Sequence, residues 1–204
     1  MKFLPDYIYH MPVNSSEENS SRFDLEQCKV KSVPLSQILI EYLSRLNSAL
    51  EKTGRASAFR FKFLSSNPDV NVLPQNNWHN LVFRPEFWEI TSVSESFPFE
   101  LNTELFQSIP ESLEKISLEE LKKQLFGILV EAGLYSENIQ NREEAMILSE
   151  SLILELQGDH RNSLDVYLTS IDWNDFFKDV IDTTLIIFNS VICEVTFLLS
   201  TESD

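Results

Sequence analysis

The chain is predicted to form a single α+β domain over residues 1–204, a mainly antiparallel β-sheet carrying three to four packed amphipathic helices. Three observations predict it. Hydrophobic residues fill 43% of the 204 positions, fifteen Phe among them, enough to bury a sizeable core within one domain. Short alternating runs outnumber runs of helical period, and the two kinds follow one another too irregularly for a parallel, doubly wound sheet. The helical runs that do occur carry start and stop residues of their own.

From the N-terminal side, Asn14–Ser21 is polar throughout and reads as a mobile loop. In Arg22–Val30 the pairs Phe23/Leu25 and Cys28/Val30 alternate but are out of phase by one residue, the pattern of a strand bulged near Gln27. Pro34 suits a first helical turn, where its missing N–H has no partner to lose. Leu35, Ile38, Leu39, Tyr42, Leu43, Leu46 and Leu50 then recur at helical spacing, and Gly54 is expected to stop the helix in a left-handed conformation. In Ala58–Leu64, Phe59, Phe61 and Phe63 alternate with Arg60 and Lys62, predicting a half-buried strand with two solvated cations on its outer face. Stacking on nucleic acid would need the rings on the exposed side.

Residues 65–80, with Pro68, Pro74 and several Asn, read as a long loop. Two short strands are expected at Asn80–Arg84 and Glu86–Val93, divided by Pro85. Ser117-Leu118-Glu119-Glu120 is a capping box that starts a helix running to about Ala132, before Gly133. Arg142–Ser149 predicts a further helix, followed by a strand at Leu152–Leu156 that forms a hairpin with Leu164–Leu168 across Gly158–Asn162. Asp172 is placed as the cap of a last helix, Trp173 to about Asn189, burying Trp173, Phe176, Phe177, Val180, Ile181, Thr184, Leu185 and Phe188. Val191–Leu199 closes the chain as a strand.

Charge is the main functional signal. Residues 1–64 carry nine Lys/Arg against seven Asp/Glu and residues 65–204 seven against twenty-five, so the total of −16 divides into +2 and −18. Such a surface repels phosphate and speeds encounter with cations, which predicts a basic protein partner and no direct nucleic-acid binding. The apolar tract Thr183–Ser200 approaches membrane-spanning length, but Asn189, Ser190 and Glu194 interrupt it, so it is expected in the core rather than in a membrane. With no apolar N-terminal stretch of signal-peptide length, a cytoplasmic location is expected.

Catalytic signatures are weak. Gly54, Gly127, Gly133 and Gly158 are not spaced to cradle a phosphate, and His10, His79 and His160 stand singly, without metal-ligand spacing. Cys28 and Cys193 read as reduced thiols. No catalytic residue, metal or cofactor is assigned. His160 falls in a solvated turn near Asp159 and Asp165, and an enzymatic alternative would place a dispersed site around His79 with Trp78, Glu86 and Glu89.

On the helix expected after Asp172, the residues Asp172, Asp175, Asp179 and Asp182 would share one stripe opposite the apolar face, offset by Lys178 alone. They are the candidate partner-binding residues, with Glu137, Glu143 and Glu144 as possible rim charges. Ser94-Glu95-Ser96-Phe97-Pro98-Phe99-Glu100 resembles a stretch of cyanobacterial nuclease A inhibitors; the likeness stops at Glu100, and it agrees with an inhibitor role. The leading expectation is a non-enzymatic acidic domain, an inhibitor, immunity or assembly partner that masks a basic surface. The alternatives are a small chaperone or adaptor binding through an apolar patch and the enzyme around His79.

Overall fold

A computed structural model of the chain describes residues 28–50, 53–65, 81–131, 141–160, 163–176 and 181–202. Six strands, β1 (Cys28–Ser32), β2 (Gly54–Ser65), β3 (Glu114–Ile116), β4 (Leu164–Thr169), β5 (Ile181–Asn189) and β6 (Glu194–Glu202), form one sheet. Its order is β1-β2-β6-β5-β4-β3, and every neighbouring pair is antiparallel. The helices are α1 (Gln37–Ala49), the short α2 (Pro85–Trp88), α3 (Thr91–Ser94) and α4 (Ile109–Ser112), and the longer α5 (Leu118–Glu131) and α6 (Arg142–Gln157). The α+β class and the antiparallel sheet are as the sequence predicts.

The sheet is covered on both sides. One face, including Ala58, Val166, Leu185, Ile187 and Leu198, packs against α1, α5 and α6. The other, including Phe61, Phe63, Ile186, Phe188, Val195 and Phe197, packs against residues 81–109 with Trp173 and Phe176. We refer to these covers as the helical layer and the cap. Two-sided cover explains why the central strands are buried almost end to end: every residue of β6 from Glu194 to Thr201 is buried.

It also explains the largest departure from the sequence prediction. The helix expected over Trp173–Asn189 does not form; Trp173–Phe176 lie in an irregular, turning segment, and Ile181–Asn189 is strand β5, paired with β4 and β6. A strand buried on both faces loses the polar-apolar alternation that would announce it, while β-branched Ile181, Thr183, Thr184, Ile186 and Ile187 favour extended backbone.

The strand expected at Leu152–Leu156 is instead the end of α6, which runs unbroken to Gln157 and buries Leu148, Leu152, Ile153 and Leu156 at helical spacing. Gly158, at φ 58°, ends it with its N–H on Leu154 O and Glu155 O. No hairpin with β4 follows, because β4 lies between β3 and β5. The segment expected as two strands before Val93 is a series of helical turns, in which Pro85 opens α2 instead of breaking a strand.

Of the local signals elsewhere the serine caps are met, but Pro34 is not in a first turn, because α1 begins at Gln37 behind the Ser36 cap. Ser117 accepts the Glu120 N–H at 3.1 Å at the start of α5, and Ser36 accepts the Leu39 N–H at the start of α1. Gly54 does not stop α1 but opens β2, where a Cβ would lie 1.9 Å from the Thr201 carbonyl oxygen, so glycine is required by the approach of β6. The Val30 carbonyl accepts from Ser92 Oγ of α3, which occupies an acceptor on the edge strand β1. Residues 22–27 of the first expected strand, the loops near 14–21 and 65–80, and Gly133 lie outside the described residues. Among the described residues no helix is long and apolar enough to cross a membrane.

Candidate acidic binding face

Aromatic rings hold the cap to the sheet, through Trp88 on Phe197 at 5.5 Å and Phe87 on Phe61 at 5.8 Å, and hold the cap together. Trp88 and Phe97 lie 4.8 Å apart, Phe97 stacks on Trp173 at 5.5 Å, and Phe83 meets Trp173 edge-on at 5.6 Å. The two indoles also satisfy their N–H groups, Trp88 Nε1 donating to Val82 O at 2.6 Å and Trp173 Nε1 to Thr184 Oγ1 at 2.9 Å. Such anchors recur every few residues through 81–106, and the polar residues between them are left outside. Glu86, Glu89, Glu95, Glu100, Glu104 and Glu111 are all exposed, and residues 81–113 contain one cation, Arg84. None of the six glutamates takes part in an ion pair among the described residues.

The helical layer differs in kind. There Arg45 pairs with Glu41 at 3.3 Å and Glu144 at 2.8 Å, Lys122 pairs with Glu150, and Lys123 with Glu120 at 3.5 Å. Exposed pairs of this kind contribute little stability, but they offset the local charge. Among the described residues the excess of unpaired carboxylates therefore gathers on the cap side, where Arg84 and Arg55, the latter over the Phe99 and Phe176 rings, are outnumbered by the glutamates.

The four predicted aspartates do not form a stripe. Asp172 and Asp175 are exposed and sit beside the cap, Asp179 lies outside the described residues, and Asp182 is buried in β5 at 6% exposure. With the helix absent, nothing aligns them, and Asp182 is not available to a partner. Asp175 has an internal task as well: its Oδ1 accepts the Glu100 N–H at 2.8 Å while its own N–H donates to Glu100 O at 2.9 Å. Together with the Asn102 N–H on Trp173 O at 2.8 Å and the Leu101–Asn174 bridge, this laces the two cap segments together. Of the expected rim charges, Glu137 lies outside the described residues, and Glu143 and Glu144 begin α6 in the other layer.

The solvated cations expected on β2 are also corrected. Arg60 is 9% exposed and donates to Glu155 Oε1 at 2.9 Å and Glu194 Oε2 at 2.9 Å, while Lys62 reaches Glu194 Oε1 at 3.1 Å. This network lies beneath α6, with no residue of the acidic face in it. Of the enzymatic alternative, Trp78 and His79 lie outside the described residues, and Glu86 and Glu89 are exposed on the cap. His160 is exposed in the turn after α6, and Asp165 is bonded to Lys115 Nζ. Cys193 is half-buried, and burial pushes its thiol pKa up, away from reactive thiolate character. No group of three or more His, Cys, Asp or Glu among the described residues is arranged to hold a metal ion.

Compared with protein-family models and with curated proteins, the chain matches none. The cap glutamates were not singled out from sequence, because they are scattered among aromatic residues with no single period. The signal that would have found them is local: six Glu to one Arg over residues 81–113.

Proposed function

We propose that this chain is a non-enzymatic binding domain that masks a basic surface on another protein, using the exposed glutamates of the cap. The observation that carries the reading is the contrast between layers: among the described residues, six exposed glutamates on the cap without ion pairs against largely ion-paired acids on the helices. A concentrated field of one sign steers a cationic partner at long range and rejects anionic ones, contributing more to association rate and specificity than to affinity. Asp175, bonded to Glu100, and the exposed Asp172 three residues before it add to the same acidic side.

The test is capture from native lysate with two baits, the wild-type chain and a variant with Glu86, Glu89, Glu95, Glu100, Glu104 and Glu111 all changed to Gln. A cationic protein held by the wild type at low salt, released as salt rises and missing from the variant supports the reading. Identical captured sets contradict it.

A second reading, a chaperone or adaptor, is favoured by one observation. The exposed large apolar residues among those described include Met146, Ile147 and Leu154 on α6 and Ile40 on α1, all in the helical layer. The two readings place the partner on opposite sides of the sheet.

A further inference from the structure

Where β4 stops, the sheet leaves a cleft. The pairing of β4 with β5 ends at Thr169 opposite Thr184, so Ile181–Thr183 pair with β6 alone among the described strands. The opening is lined by Ser112, Glu114, Gln124, Leu168, Thr169, Ser170, Ile171 and Thr183 and encloses about 220 Å³. That space is below the range of drug-sized ligand clefts and is of the size of a single long side chain.

The lining carries charge of one sign only. Ser112 spends its hydroxyl hydrogen on Ile109 O, and Gln124 turns its amide nitrogen to Glu120 Oε1. Ser112 and Gln124 Oε1 offer acceptor oxygen, the hydroxyls of Thr169, Ser170 and Thr183 can accept as well as donate, and the exposed carboxylate of Glu114 adds the one formal charge in the lining. Leu168 and Ile171 supply apolar wall beside these acceptors. Lys115, next in sequence to Glu114, is engaged on the cap face with Asp165 and the Tyr167 ring.

We infer that the cleft receives a lysine side chain, its methylenes against Leu168 and Ile171 and its ammonium donating to Glu114 and Gln124 Oε1. An ammonium brings a positive charge and three donors on an apolar stem, which matches a carboxylate and acceptor oxygens beside an apolar wall. The inference deepens the basic-partner reading and rests on it, since the lysine belongs to the partner. The cleft lies at the end of the sheet between α4, which carries the cap glutamate Glu111, and α5 of the helical layer, within reach of a partner seated on the cap.

The test needs no partner. Amide chemical shifts of the isotope-labelled chain are followed while N-acetyl-lysine-N-methylamide is added, with the norleucine analogue, which lacks the ammonium, as the comparison. Shifts at Thr169, Ser170 and Thr183 with the lysine probe alone are expected, weakened about fivefold in Glu114→Gln and unchanged in Glu119→Gln, whose exposed carboxylate lies outside the cleft. No shift at these amides, equal shifts with norleucine, or equal affinity in Glu114→Gln would overturn the inference. Each result stands apart from the capture experiment, in which Glu114 is intact in both baits.

Discussion

On β2, Arg60 holds two carboxylates from remote parts of the chain, Glu155 and Glu194, and Lys62 takes the second oxygen of Glu194. Arg60 Nε and Glu155 Oε2 are buried with no hydrogen-bond partner, so the network has little slack. Removing the guanidinium strands two largely buried acids; Arg60→Met should therefore cost about 3 kcal/mol of stability in urea unfolding. Lys62→Met should cost less than about 1 kcal/mol, because that side chain is 40% exposed. Equal, small losses in both would contradict the role given to Arg60. The alternation of Phe59, Phe61 and Phe63 with Arg60 and Lys62 was legible as a strand. That the cation side is covered was not, because the partners of Arg60 lie 95 and 134 residues away. Cys193 was illegible for another reason: it takes φ 58° in the turn between β5 and β6, where a Gly or Asn would have announced the turn.

Among the elements, α5, β2, β4 and β6 were legible from capping and alternation, while Pro34 and Gly54 misplaced the ends of α1 and no local signal marked the short β3. The capping Ser117 and the leucine spacing of α5 sufficed, whereas β5 and the second half of α6 depended on what packs over them. The packing of α1 on α5 offers a test at this scale. Tyr42 is fully buried and donates its hydroxyl to Leu125 O at 2.8 Å. Burial raises its pKa far above the ordinary value, so the folded chain keeps a proton that the unfolded chain releases above about pH 10. The unfolded state then binds fewer protons than the folded one, and stability falls as pH rises from about 10 upward. Tyr42→Phe should cost about 1 kcal/mol at neutral pH. It should also flatten the alkaline slope by up to about 1.4 kcal/mol per pH unit, measured by urea unfolding between pH 9 and 11. An unchanged slope would mean the hydroxyl is not sequestered. On α6, Ile147 and Leu154 are 57% and 62% exposed, so Ile147→Gln with Leu154→Gln should move stability by less than about 0.5 kcal/mol. Under the acidic-face reading that double variant binds the captured partner as the wild type does; loss of binding would favour the adaptor.

At the scale of the whole molecule, one sheet separates two surfaces of different character, a largely ion-paired helical layer and a cap rich in unpaired glutamate. The sequence revealed the excess of acid beyond residue 64, yet the chosen stripe was wrong because it relied on a helix that is a strand. Charge composition survives such an error, since it does not depend on which element carries it, whereas a face does. The measurement that tests the central claim most directly is the association rate of the captured partner with the wild-type chain and with the six-fold Glu→Gln variant, at low and at physiological salt. Steering by the cap predicts a rate about tenfold lower for the variant at low salt, with a much flatter salt dependence. Circular dichroism should show the variant folded, since the six side chains are exposed. Equal rates for the two folded proteins at both salt concentrations would contradict a binding role for the acidic face.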